Sequence, residues 1–330
     1  MPESFTWRDG ERTIRFGRGS AAQSEDLIGE RYVVLTTPRA ETMLPALVSA
    51  ATEVVHVPGG RVDDVAGDLL GHARPGTRYV ALGGGRVVDV AKAIAAAAGG
   101  GASVAAIPTT LSAAEMTWVH RHARGVDPQT PRARPVVVVN DPALSASQPL
   151  EELAASAGNA LGHAVEGTTT TLASPVPVLA ARDAARRLAL GLPAAGEPDR
   201  DELALGALLS GYAIDSAWYG LHHVMAQTLV REAGAGHGQA NVALLPVTSA
   251  ALRRRRPDAL EALDALIGEP VEEVARRFAA LAGAARLRDA GVDEAALEPC
   301  AAAAAGRGEL ALTPPAADAG ELLELYRAAW

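Results

Sequence analysis

Short apolar runs bounded by turn residues fill the first 140 or so residues, and helical periodicity fills the rest. Residues 4–17 alternate apolar and polar positions (Phe5, Trp7, then Ile14, Phe16) around Asp9-Gly10, the pattern of a β-hairpin. Continuous apolar runs at 32–35, 54–57, 79–82 and 104–107 read as strands buried on both faces. Helical patterns at 21–29, 40–52 and 60–72 separate them. Strands alternating with helices predict a doubly wound parallel sheet. Two more extended pieces, 116–122 and 136–139, flank a polar loop and read as a hairpin-like excursion out of the first domain. From Pro149 onward helices are expected at 149–166, 175–190, 200–217, 221–231, 238–253, 257–266, 269–283, 293–305 and 318–328. The chain thus predicts an α/β domain at 1–148 and an all-helical domain at 149–330, with a ligand in the cleft between them at the carboxyl ends of the strands.

Composition narrows the function classes. The chain has 330 residues and a net charge of −9 with no long basic run, which argues against a nucleic-acid partner. A single cysteine, Cys300, excludes an internal disulfide framework and fits a reducing compartment. A polar N-terminus and the lack of any apolar run near the ~20 residues of a membrane span predict a cytoplasmic protein with no membrane partner.

Candidate chemistry falls in two places. The first is Gly83-Gly84-Gly85 between an apolar strand and a helix. Glycine lets the backbone turn and approach a ligand closely, and the free N–H groups and dipole of the following helix suit a phosphate. That helix carries Lys92, the sole lysine of the chain, in a sequence whose other cations are arginines. An ammonium is not interchangeable with a guanidinium fork, so its retention suggests a function. The second place is a histidine constellation. Asn159 and His163 share a helix face four residues apart; His222, His223 and Gln227 sit on another helix; His237 follows in a Gly/Ala loop. Four of the eight histidines and two of the three asparagines lie in these segments.

Taken together, these segments resemble the iron-containing alcohol dehydrogenase superfamily, which includes the dehydroquinate synthases, and most of all its maleylacetate reductase branch. The resemblance runs through 83–92, through Ile107-Pro108-Thr109-Thr110-Leu111-Ser112-Ala113-Ala114-Glu115-Met116-Thr117, through Asp141-Pro142 with 158–166, and through Gly220-Leu221-His222-His223 and 237–246. It implies a dehydroquinate synthase-like fold: a doubly wound nucleotide-binding domain followed by an all-α domain. It also implies NADH or NADPH as cofactor, a small-molecule substrate and a homodimer. Gly83, Gly84, Gly85 and Arg86 would hold the pyrophosphate, Asp89 and Lys92 would line the ribose and nicotinamide side, and Thr109, Thr110 and Ser112 would cover the phosphate region. Thr37 and Pro38 follow the first cofactor strand with no acid to grip a ribose 2′-hydroxyl, which leaves NADPH open, with Arg39 as a partner for its 2′-phosphate.

The departures from the family pattern matter equally. Metal-dependent members carry an aspartate where this chain has Asn159, beside histidines matching His163, His223 and His237. Without that anion the site is expected to work without metal, a three-histidine zinc site being the alternative. Gln227 replaces a histidine suited to proton relay; it can hydrogen-bond but cannot titrate, so the proton would come from His222, His163 or water. Ala114 stands in place of a serine. The expected activity is NAD(P)H-dependent reduction of an activated C=C or C=O bond in an oxo-acid, with the imidazoles binding substrate oxygens. A non-redox biosynthetic step is the alternative, and a silent binding protein a third reading.

Overall fold

A computed structural model describes residues 4–330, which form two compact units meeting in sequence at Ser147 and Gln148. The first is built on a seven-stranded sheet of β1 (Phe5–Asp9), β2 (Arg12–Phe16), β3 (Val33–Thr36), β4 (Glu53–His56), β5 (Arg78–Gly83), β6 (Ser103–Pro108) and β7 (Val137–Asn140), in the order β1-β2-β7-β6-β5-β3-β4. All neighbours are parallel except β1 and β2, the expected hairpin around Asp9-Gly10. Both faces are covered, which is why β3, β5 and β6 read as unbroken apolar runs rather than alternating ones. Tyr79 and Ala81 face one layer with Val87, Val90 and Ile94 of the Gly85–Ala98 helix. Val80 and Leu82 face the other layer with Ile28, Tyr32 and Ala40.

Three expectations change. The helix expected at 40–52 is broken into Pro38–Glu41 and Pro45–Ala50. Pro45 lacks the N–H a continuous helix needs, so it starts the second piece instead. The segment 116–122 is not a strand. Its carbonyls go to cations rather than to a ladder: Met116 O accepts from buried Arg12 Nη1 at 2.8 Å, and Thr117 O and Val119 O accept from Lys92 Nζ at 3.1 and 2.8 Å. Finally, the piece at 136–139 does not lead out of the domain. It belongs to β7, an inner strand with Val137 in register with both Thr13 and Ala105.

The second unit is helical. The Leu150–Thr169 helix is buried on every side from Ala157 to Thr169, which its glycines make feasible. A Cβ on Gly158 would lie 2.6 Å from Val242 Cγ2, and one on Gly162 2.7 Å from the His222 ring. The helices Pro175–Gly191, Arg200–Ala217, Leu221–Glu232, His237–Arg255, Pro257–Ile267, Val271–Leu281, Leu297–Ala305 and Ala319–Ala329 follow. Among the described residues no helix is long and apolar enough to cross a membrane.

His120 supplies a test of the sheet unit. Its Nδ1 donates to Arg121 O at 2.9 Å and its Nε2 accepts from Ala133 N–H at 3.0 Å, so the neutral ring is specified on both sides. Burial pushes its pKa down to about 3. Since the folded pKa is depressed below the unfolded value of roughly 6.5, this stabilising term is complete above that pH. It is lost as pH falls from there toward 3, by up to ~1.4 kcal/mol per pH unit. Urea unfolding across pH 4–7 should show this slope, and His120→Gln, which can replace both hydrogen bonds without titrating, should reduce it by about that amount.

Candidate active site

In the sheet unit, the residues expected to hold a cofactor gather at the carboxyl ends of β3, β5 and β6, where adjacent parallel strands end together. Gly83 lies in register with Pro108. Thr109 N–H donates to Gly83 O at 2.9 Å and ties the two loops to each other. Gly84 is the N-cap of the Gly85–Ala98 helix, whose first turn has no side-chain cap. Its φ is −74°, so glycine is not required there by backbone conformation. Close packing requires it: a Cβ on Gly84 would meet Thr110 Cγ2 at 2.9 Å, and one on Gly85 would meet Ser112 at 2.8 Å. Arg86 is exposed beside this turn. Thr37 caps the helix that opens with Pro38, its Oγ1 accepting from Ala40 N–H at 3.2 Å, and Arg39 lies exposed on that helix.

Lys92 is fully buried one layer below this turn. Its ammonium reaches Ala114 O at 2.9 Å, the two carbonyls of the 117–119 segment, and Asp89 Oδ1 at 2.8 Å. With Thr117 Oγ1 at 3.4 Å, three N–H donors face five oxygens, so none remains for a ligand. Beside this cluster, burial lifts the Glu115 carboxyl to about 7, while the Lys92 charge acts to lower it.

In the helical unit, the structure brings Asn159, His163, His222 and His223 together and adds a residue whose role the sequence did not reveal, Glu166. Its carboxylate is fully buried against the start of the Leu221–Glu232 helix. Oε1 accepts from Gly220 N–H and His222 N–H, both at 2.9 Å; Oε2 accepts from His223 N–H at 3.3 Å and faces His223 Nδ1 at 2.5 Å. These are the donors a helix N-terminus leaves free, and its dipole favours the anion. Burial raises the Glu166 pKa, and the nearby histidine charge and three N–H groups act to lower it.

This carboxylate sets the proton on His223. An acceptor on Nδ1 fixes the hydrogen there and leaves Nε2 with a lone pair that has no partner. His222 is fixed the same way by different means. The Thr248 hydroxyl spends its hydrogen on Leu244 O at 3.0 Å, so it accepts from His222 Nδ1 at 2.8 Å. Burial pushes both pKa values down to about 3, and holds His163 well below its ordinary value. Both rings are therefore neutral near pH 7, with lone pairs at Nε2. Asn159 Oδ1 and His163 Nδ1 are also buried without a partner. His237 begins the next helix with an exposed ring, and Gln227 is turned toward Arg307.

The family's metal ion does not fit these residues as placed. An ion bound to two imidazoles must lie near the plane of both, about 2 Å from each nitrogen. The His163 and His223 rings are stacked, 4.6 Å between centroids and 14° from parallel, so their planes share no point in reach. Asn159 contributes a neutral oxygen, and His237 is exposed at the start of its helix, near enough for its charge to act on His163, His222 and His223.

A glycine turn at the carboxyl edge of a parallel sheet, together with a helical unit holding buried histidines, defines a dehydrogenase-type oxidoreductase acting on a small molecule. The chain belongs to the iron-containing alcohol dehydrogenase family: residues 153–330 match the model of that family's C-terminal domain. It is 31% identical over 275 residues to a maleylacetate reductase of Sphingobium indicum, covering 77% of each chain. Among solved structures, a putative alcohol dehydrogenase of Ralstonia eutropha aligns with TM-score 0.84 at 28% identity, covering 100% of this chain and 98% of the other. The maleylacetate reductase of Agrobacterium tumefaciens aligns with TM-score 0.82 at 27% identity, covering 100% and 99%.

Glu166→Gln is expected to place an amide N–H against one of the backbone donors and to lower stability by about 1–3 kcal/mol in urea. In ¹⁵N NMR the His223 proton should shift from Nδ1 toward Nε2. A variant as stable as the parent with an unmoved proton would show that the carboxylate does not set the ring.

Proposed function

We propose that the protein is an NAD(P)H-dependent reductase of an activated C=C or C=O bond in an oxo-acid of the maleylacetate type, working without a metal. The observation that carries this reading is the Glu166–His223 pair, a base whose lone pair stands free while its other nitrogen is held by a buried carboxylate. The relatives named above support the substrate class. The uncapped first turn at Gly84 and Gly85 suits the cofactor pyrophosphate, with Thr109, Thr110 and Ser112 beside it. Lys92 and Asp89 serve cofactor binding indirectly, by fixing the 114–119 segment. The nicotinamide, when bound, supplies or takes up the hydride.

The protein's own part is to manage one proton at the substrate oxygen. In the oxidative direction His223 Nε2 takes the hydroxyl proton, and Glu166 stabilises the imidazolium that forms. In the reductive direction the neutral ring first takes a proton at Nε2 from solvent, and the imidazolium so formed passes it to the substrate as negative charge develops on the oxygen. Its low resting pKa makes the charged ring a strong acid. The neutral rings of His222 and His223 offer lone pairs, so they orient hydroxyl or enol groups rather than oxyanions. His222 packs on Gly162 and keeps that helix crossing close. Without a carboxylate at Asn159 the cluster holds no anion of its own toward a cation, which supports metal independence.

Two measurements test the reading. Nicotinamide fluorescence should change on adding the protein to NADH or NADPH, and oxo-acid reduction should survive chelation and dialysis with a metal content far below one per chain. Activity abolished by chelation and restored by iron or zinc would overturn metal independence. His223→Gln should lower kcat by ~100- to 10,000-fold with cofactor binding intact; an unchanged kcat would remove His223 from the reaction.

A further inference from the structure

A buried cluster that presents lone pairs cannot hold a carboxylate, yet the proposed substrate class carries at least one. The countercharge must come from another side chain, and within the helical unit Gln227 leads to one. Gln227 lies four residues after His223 on the same helix, a spacing that puts side chains about 5–6 Å apart. Its Oε1 accepts from Arg307 Nη2 at 3.1 Å. The same guanidinium is gripped along one edge by Glu309, Nε to Oε2 at 3.1 Å and Nη2 to Oε1 at 2.8 Å. Nη2 also lies 3.3 Å from the Tyr219 hydroxyl, and the Tyr219 ring stands 6.0 Å from that of His223. Thus two routes, one through Gln227 and one through Tyr219, connect Arg307 to the base.

The pattern of partners is uneven. Nε and Nη2 are engaged, whereas Nη1 has no partner among the described residues, and the side chain remains 23% exposed. A surface ion pair with Glu309 alone would leave the guanidinium free to swing. Here Gln227 and Tyr219 fix its plane, which reduces the ordering cost of receiving a planar anion. We propose that Arg307, held by Glu309 and Gln227, receives a carboxylate of the substrate through Nη1. This rests on the oxo-acid reading and names how that substrate is recognised. It also gives Gln227 a role that a histidine would fill less well. A ring nitrogen facing the guanidinium would have to stay unprotonated, so a relay there and an oriented Arg307 compete for one position.

The test uses an unreactive dicarboxylate, adipate, and its uncharged match, adipamide, titrated calorimetrically into the full chain. The parent should bind adipate more tightly than adipamide. Arg307→Met should weaken adipate binding by about 10- to 100-fold, the loss of one charge-assisted contact. Arg307→Lys, which keeps the charge without the fork, should lose less, and Gln227→Leu should weaken adipate while leaving NADH binding unchanged. Should Arg307→Met misfold, the Lys and Leu variants carry the test by themselves. A parent that does not favour adipate, or variants that bind it as the parent does, would overturn the proposal. If adipate binding depends on Arg307 while the parent reduces no oxo-acid, the anion site stands and the reductase reading falls.

Discussion

A single buried carboxylate organises the helical unit. Glu166 would be costly in an apolar interior, and it is tolerated because four hydrogen-bond donors converge on it. Three of those are the loose N–H groups of a helix start, so one side chain both completes that helix and orients His223. Remove the carboxylate and the helix start, the ring tautomer and the direction of the lone pair all lose their common support. The close crossing at Gly162 depends on the same arrangement, because His222 occupies the space a side chain would need there.

Much of this was legible in the sequence, and the failures have physical causes. Long helices such as Arg200–Ala217 declare themselves because their periodicity and caps are local: Asp199 accepts from Asp201 and Glu202 N–H at its start. Buried parallel strands were legible for the same reason. The segment 116–122 was misread because the partners of its carbonyls, Arg12 and Lys92, lie far away in the chain. The histidines could be found from their spacing. Glu166 appeared only as part of a motif, since its role exists only once two helices cross. Tyr219, Gln227, Arg307 and Glu309 could not be grouped at all: the hydrogen bonds that join them span 80 to 90 residues.

Two departures from the pattern that the sequence resembles fall at the centre of the helical unit's cluster. Where the resemblance implies an anion in metal-dependent members, Asn159 places an amide, and the buried carboxylate beside the histidines is Glu166, within the segment that carries the resemblance. Where a relay histidine would stand, Gln227 makes a contact with a cation. Both exchanges replace titrating or charged groups at the centre with neutral ones, and leave two neutral imidazoles, His222 and His223, each with a defined proton.

The fate of the lone lysine has a practical side. Lys92 is wholly enclosed, so the folded protein displays no side-chain amine at all. Reagents that acylate amines will find nothing on any side chain of the native surface, and cross-linking through lysine is closed to it. Conversely, any reaction at Lys92 reports that the segment packed over it has opened. The chain therefore contains its own chemical gauge of local unfolding, read by mass at one position.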